Sequence, residues 1–296
     1  LAYISRRKSE LDAVIMAHYY QLPEIQETAD FVGDSLELAR QAAVTDARLI
    51  VFCGVRFMAE SAKILNPDKT VILPEPRAGC PMADMADAGG LKRLKEQHPG
   101  AAVVCYVNSS AAVKAESDIC CTSSNALRVV QSIPAGREII FVPDRNLGSY
   151  IQRETGRDMV LWAGYCPVHD AVKPAEIEEQ KKLHPGVPVV VHPECPPDVT
   201  AMADAVLSTA GILKYVADSP ENEFIIGTEE GLLHSLRKNH PHKKFYLARS
   251  GFNCPDMKLI GLEKLALAME QLSEAVEVEE SVRQRAMVSL QRMLQI

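Results

Sequence analysis

The chain has 296 residues, a formal charge of −7 and no long basic run, which sets nucleic acid aside as a partner. Its longest apolar stretches are strand-sized, too short for a spanning helix, so no membrane is expected. The opening LAYISRRKSE carries no signal-peptide pattern, so a cytoplasmic location is expected, where eight cysteines point to metal or buried thiols rather than a disulfide framework.

In chain order, residues 1–12 read as a short leading helix, and then one pattern recurs three times. Each copy opens on a β-branched apolar run that ends in polar residues: AVIMAHYY, AAVVCYVNSS and PVVVHPECP. A helix-like stretch beginning with small hydroxyl residues follows: GDSLELARQAA, CTSSNALRVVQS and LSTAGILKYVAD. Next come a second apolar run (RLIVFCG, REIIFVPD, EFIIGTE), a second helix-like stretch (FMAESAKIL, NLGSYIQRE, GLLHSLRKN) and a third strand-like run (KTVILPE, DMVLWAG, KKFYLAR). A Cys-Pro dipeptide closes each copy: Cys80-Pro81, Cys166-Pro167 and Cys254-Pro255.

The landmarks keep step. The three cysteines lie 86 and 88 residues apart, His18, Tyr106 and His192 lie 88 and 86 apart, and Ser35, Ser123 and Ser208 lie 88 and 85 apart. Strands alternating with helices predict parallel sheets covered by helices. The expected fold is α/β: three homologous three-layer αβα domains around a pseudo-threefold axis, over residues 1–86, 87–172 and 173–260. The remaining segment, 261–296, has helical spacing at Leu262, Leu265, Leu267, Met269 and Leu272 and reads as one or two helices packing back on the body.

Ligands of such sheets bind beyond the carboxyl ends of the strands. His18-x-Tyr20, Tyr106-x-Asn108 and His192-x-Glu194 occupy equivalent strand ends, and residues two apart in extended chain point the same way. Each unit therefore presents a polar pair to one central cavity. Ser35, Ser123, Ser208 and Thr209 are expected where helices begin, where the N–H groups and the helix dipole favour anions. The plainer alternative is that each only caps its helix. Glu194 is the candidate base, with a carboxyl raised by desolvation. Tyr20 and Tyr106 are candidate proton donors or relays, His18 and His192 orient carbonyl or phosphate groups, and His169 lines the cavity near Cys166. Cys53 and Cys105 read as buried small hydrophobes, Cys195 as a neighbour of the site, and Glu60 as a structural partner of Lys63 or another neighbour.

Three cysteines, one per unit, form a soft metal site with an open position if they converge. Zinc is disfavoured, because none of the three has a CxxC partner. A [4Fe–4S] cluster held by three thiolates leaves one iron open to substrate, and that iron is a Lewis acid for hydroxyl or carboxylate groups. Three buried, unliganded thiols remain the alternative.

The strings AHYYQLPEIQ, ADFVGDSLELA, GVRFMAESAKILNP, YVNS, CTSSNA, GYCPVH, HPEC and LSTAG resemble the quinolinate synthase family across nearly the whole chain. That resemblance implies condensation of iminoaspartate with dihydroxyacetone phosphate to quinolinate, phosphate and water, on the route to NAD. It implies a [4Fe–4S] cluster on Cys80, Cys166 and Cys254, and a functional link to an aspartate-oxidising enzyme. By the same resemblance, His18, Ser35, Tyr106, Val107, Asn108, Ser123, His192, Pro193, Glu194 and Thr209 would hold the substrates, and Tyr20, Glu194 and His18 would be catalytic. Two departures stand out: Tyr19 where many relatives carry Asn, and no C-terminal CxxC, so no redox switch of that kind is expected. The competing readings are a diphthamide-synthesis-like radical S-adenosylmethionine enzyme, a non-enzymatic iron–sulfur sensor and a zinc-bound structural protein. The HYYQ, GDSLELA and MAESAKILNP strings speak against the first, and three polar strand ends against the second.

Overall fold

The computed structural model describes residues 1–273 and 275–296. Among these, twelve strands form three four-stranded sheets. The first holds β1 (Ala13–His18), β2 (Phe31–Gly33), β3 (Leu49–Cys53) and β4 (Thr70–Ile72) in the order β2-β1-β3-β4. The second holds β5 (Ala102–Tyr106), β6 (Ile119–Cys121), β7 (Ile139–Val142) and β8 (Val160–Leu161), and the third β9 (Val189–Val191), β10 (Ala205–Val206), β11 (Glu223–Gly227) and β12 (Lys244–Leu247). Both repeat the order of the first, as β6-β5-β7-β8 and β10-β9-β11-β12, and every pairing is parallel. The central strands β3, β5, β7 and β9 are buried throughout. That is the signature of parallel strands covered by helices on both faces, and it explains why they read as unbroken apolar runs.

Each unit was expected to contribute three strands and contributes four. The extra edge strand is two or three residues long, too short to show a period, and it lies in DFVGD, DICCT and DAVLS. An aspartate fixes it each time. Asp30, Asp118 and Asp204 accept the backbone N–H of Ile15, Val103 and Val189 at 2.9, 2.8 and 2.8 Å. Their own N–H groups donate back to the carbonyls of the same three residues. These aspartates form a fourth periodic landmark, 88 and 86 residues apart.

After the first strand the chain runs outward to the edge and then crosses back to the other side. The reversal lies between the first and third strands of each unit, which is where open parallel sheets leave a crevice at their carboxyl ends. The leading helix Ala2–Glu10 packs on helix Leu262–Gln271, and Arg7 Nη2 donates to Met269 O at 3.1 Å. Helix Glu280–Leu294 buries Ala286, Leu290 and Met293 against β6 and helix Ala111–Ala115. Among the described residues no helix is long and apolar enough to cross a membrane.

Candidate active site

The crevices of the three sheets open into one cavity of about 150 Å³. The first unit lines it with His18, Tyr20, Ser35 and Cys80, the second with Tyr106, Asn108, Ser123 and Cys166, and the third with His192, Glu194, Thr209 and Cys254. His169 joins them. Val107 and Pro193 are not among the lining residues; each stands between two residues that do line the cavity, so alternation turns it away. Cys195 is buried and also off the cavity, while Cys53 and Cys105 are fully buried within their strands.

The hydroxyl residues need correction as caps. Asp34 caps helix Ser35–Val44, accepting from Leu36 and Glu37 N–H, so Ser35 is the first helical residue. Ser123 precedes helix Ala126–Ser132 without capping it, and Asn125 Oδ1 accepts the N–H of Thr122 instead. Only Ser208 caps, accepting from Gly211 N–H at 3.1 Å. Ser35, Ser123 and Thr209 thus keep their hydroxyls at the cavity. Beside them Ser124 Oγ contacts Asp34 Oδ2 and Ser208 Oγ at 2.5 and 2.8 Å, tying the three units together.

The two strand-end imidazoles share one local arrangement. His18 Nδ1 accepts Tyr20 N–H at 3.1 Å, and His192 Nδ1 accepts Glu194 N–H at 3.2 Å. An Nδ1 that accepts carries no proton, so both rings are neutral and hold their proton on Nε2, where His192 meets Ser123 Oγ at 3.2 Å. Burial pushes both imidazoles down to about 3, in agreement with that assignment.

Glu194 takes Tyr106 Oη on one oxygen at 2.7 Å and His169 Nδ1 on the other at 2.8 Å. The expectation of a raised carboxyl fails here. Burial does push it up, but His192, His169 and the hydrogen bonds from His169 and Tyr106 outweigh burial and leave it well below the usual carboxylate range. Sequence shows the residue's burial but not these donors. Tyr20 and Tyr106 are driven well above their ordinary value by burial and then by the Glu194 charge, so both are neutral hydroxyls.

The three cysteines occupy matching turns. Cys80 and Cys166 each precede a four-residue helix with proline in its first turn, and Cys254-Pro255 precedes the short helical turn Asp256–Lys258. Burial pushes the Cys80 and Cys254 thiols up to about 12 and 11, and Cys166 well above its ordinary value. Backbone N–H groups of the turns oppose this: those of Ala83 and Met82 at Cys80, of His169 at Cys166, and of Met257 and Asp256 at Cys254. Thiols aimed into one cavity, with amide donors on their sulfurs, suit a thiophilic metal group that supplies the missing cation. Cys166, His169 and Glu194 also bring ligand-type atoms within 4.8 Å of one another, though His169 and Glu194 already satisfy each other.

Supporting residues went unnoticed in the sequence. Glu229 is fully buried; it accepts Cys254 N–H at 3.0 Å and pairs with Lys258 at 2.9 Å. Lys114, also fully buried, donates to Ser109 O at 2.5 Å, and Ser109 Oγ donates to Tyr106 O at 2.9 Å, which stiffens the Tyr106–Asn108 turn. Asn108 Oδ1 is buried at the cavity with no partner among the described residues, an acceptor left for a ligand. Glu60 accepts Ala111 N–H at 3.0 Å and pairs with Arg56, a structural role as expected, though not with Lys63. Glu229 was detectable in principle, since it follows β11 at the reversal point of its sheet.

Residues 2–295 match the family model described as Quinolinate synthetase A protein. A quinolinate synthase of Desulforudis audaxviator is 55% identical over 294 residues, covering 99% of this chain and 97% of the relative. Quinolinate synthases of Dehalococcoides mccartyi and Methanosarcina barkeri are each 52% identical over 293 residues, covering 99% of this chain and 97% and 96% of theirs. With a match of this extent running through all three units and their shared cavity, the chain belongs to the Quinolinate synthetase A protein family.

Proposed function

We propose that the protein is a quinolinate synthase of NAD biosynthesis, condensing iminoaspartate with dihydroxyacetone phosphate to quinolinate, phosphate and water. The observation that carries this reading is the convergence of three polar strand ends and three Cys-Pro turns, one of each per unit, on a single cavity. Cys80, Cys166 and Cys254 would hold a [4Fe–4S] cluster. When bound, it would supply an open iron as a Lewis acid for a hydroxyl or carboxylate oxygen.

The chain's own groups divide the remaining work. Among the described residues no Lys or Arg lines the cavity, so anionic substrates are held by neutral donors: the Nε2–H groups of His18 and His192 and the hydroxyls of Ser35, Ser123 and Thr209. Asn108 adds an acceptor for an imine or hydroxyl proton. Glu194, ionised and aimed by its two donors, takes protons released as the carbon–carbon bond and the ring form. Tyr106, kept protonated by burial, donates to Glu194 and holds it in place, while Tyr20, likewise protonated, is the hydroxyl left to donate to a developing oxyanion. A cytoplasmic setting and supply of iminoaspartate by an aspartate-oxidising enzyme belong to the same proposal.

The test is iron and acid-labile sulfide in anaerobically purified protein, followed by a quinolinate assay. About four of each per chain, with quinolinate formed from the two substrates, supports the reading. Zinc in their place, on Cys166, His169 and Glu194 for example, would overturn it.

A further inference from the structure

The three cysteine turns are not held alike. Cys80 O accepts Asp84 N–H at 3.2 Å and Cys166 O accepts Asp170 N–H at 2.8 Å, so each heads a closed α-helical turn of its own unit. Cys254 heads a single 3-10 turn, closed by Lys258 N–H on Pro255 O at 3.1 Å. One such turn fixes little by itself. Contacts to the first unit supply what it lacks. Lys258 Nζ donates to Tyr20 O at 2.5 Å, Gly79 N–H donates to Asp256 Oδ1 at 3.2 Å, and Gln21 Nε2 donates to Met257 Sδ at 3.5 Å.

Glu229 fastens the same turn from the third unit. Its Oε1 takes Cys254 N–H at 3.0 Å and lies 2.9 Å from Lys258 Nζ, while Oε2 takes Gly231 N–H at 2.7 Å. The Glu229 side chain is 0% exposed and that of Lys258 15%, so removing either partner leaves the other charge buried without compensation. The space for the pair depends on Gly231. A Cβ there would stand 2.8 Å from Glu229 Oε2, from Lys258 Nζ and from Tyr20 C. The φ of Gly231 is −59°, open to any residue, so close approach and not backbone conformation calls for glycine. The other units have no equivalent. Strand pairing sets Cys53, Val142 and Gly227 opposite Ala17, Cys105 and Val191, which puts Val55 and Asp144 at the position of Glu229. Val55 carries no charge, and Asp144 caps helix Arg145–Thr155 instead. Among the described residues, only the third unit ties its Cys-Pro cysteine to a carboxylate.

We propose that Glu229 and Lys258 are positioning residues that set the sulfur of Cys254 against those of Cys80 and Cys166, by clamping the Cys254 turn to the strand end that carries Tyr20. The proposal rests on the three-cysteine cluster of the reading above. Cys80 and Cys166 are placed within their own units, whereas Cys254 is in place only while its turn is docked on the first unit. Cys254 is therefore the conditional ligand, and the clamp governs how tightly iron is retained.

The test reads the thiols one at a time. Wild type, Lys258→Met, Glu229→Gln and Gly231→Ala are prepared as the full chain free of metal and treated with iodoacetamide without oxygen. Alkylation of each cysteine is followed by peptide mass spectrometry. Cys254 is expected to react about tenfold faster in each variant than in wild type, with Cys80 and Cys166 within about threefold of their wild-type rates. In the cluster-loaded proteins, a chelator should remove iron about tenfold faster from each variant, read from the visible absorption. An unchanged Cys254 rate overturns the clamp. So does an equal rise at all three cysteines, which would mark general loosening, and so does iron loss at the wild-type rate. A Gly231→Ala variant that behaves as wild type would also overturn it, since the added methyl group must displace the pair. A wild type that takes up no iron would remove the cluster reading itself, a separate failure, because the alkylation rates would still show whether the pair holds Cys254.

Discussion

The accepting Nδ1 of His18 has a measurable consequence for stability. Protonating that nitrogen would set its new N–H against the Tyr20 N–H that now donates to it at 3.1 Å. Burial independently disfavours the charged ring and pushes it down to about 3. In the unfolded chain the same ring titrates near the ordinary histidine value of about 6.5. A folded value below the unfolded one means that the folded state binds fewer protons. Stability from this group is therefore intact above about pH 6.5 and is lost as pH falls toward about 3, at about 1.4 kcal/mol per unit. Between pH 7.5 and 4.5 the loss amounts to about 2.5 kcal/mol. Other groups titrate in that window, so the clean measurement is a difference: urea unfolding of wild type and His18→Gln at half-unit steps. The gap between the two stabilities should close by about 2.5 kcal/mol on acidification, because only wild type loses this contribution. A gap that stays constant would show that His18 is free to protonate in the folded chain and would undo the tautomer assignment on which its role as a donor rests.

Glu194→Gln should lower kcat by about 10²–10⁴ while leaving the protein folded, since the base is removed and one of the two donors now faces an amide N–H. Steady-state kinetics beside a far-ultraviolet spectrum checks this, and retention of a third of wild-type turnover would remove Glu194 from the chemistry. Replacing Cys80, Cys166 or Cys254 with Ala should abolish iron binding and activity without loss of solubility, whereas Cys53→Ala, in the interior of the first sheet, should keep both. Iron analysis of the four variants decides, and iron lost from the Cys53 variant would mean that the ligands are misassigned.

Much of this site could be found in the sequence because parallel sheets put function at strand ends, and strand ends recur with the fold. His18, Tyr106 and His192 keep the period of the units, and so do the Cys-Pro turns. What periodicity cannot show is a contact between units. Thr228 reaches Tyr20 in the first unit and His169 in the second, partners 208 and 59 residues away. Glu229 pins Cys254 across 25 residues, and Lys114 braces a turn from a helix that was not expected at all. The edge strands were missed for a related reason: two or three residues have no period, and only the recurring Asp30, Asp118 and Asp204 mark them.

The error about Glu194 is the instructive one. Its type and its burial were both readable, and burial alone raises a carboxyl. The sign reversed because Tyr106, His169 and His192, from two different units, all turn toward it. A repeat can therefore locate the groups that face the cavity, whereas their protonation states are set by neighbours that the repeat places in other units. In this protein the three units differ most at those neighbours. His192 and Glu194 stand in the third unit where Tyr106 and Asn108 stand in the second, and Thr228 stands where the first two have Gly54 and Pro143. The triplicated framework supplies the convergence, and the departures from threefold likeness set which buried acids, imidazoles and hydroxyls meet in the cavity.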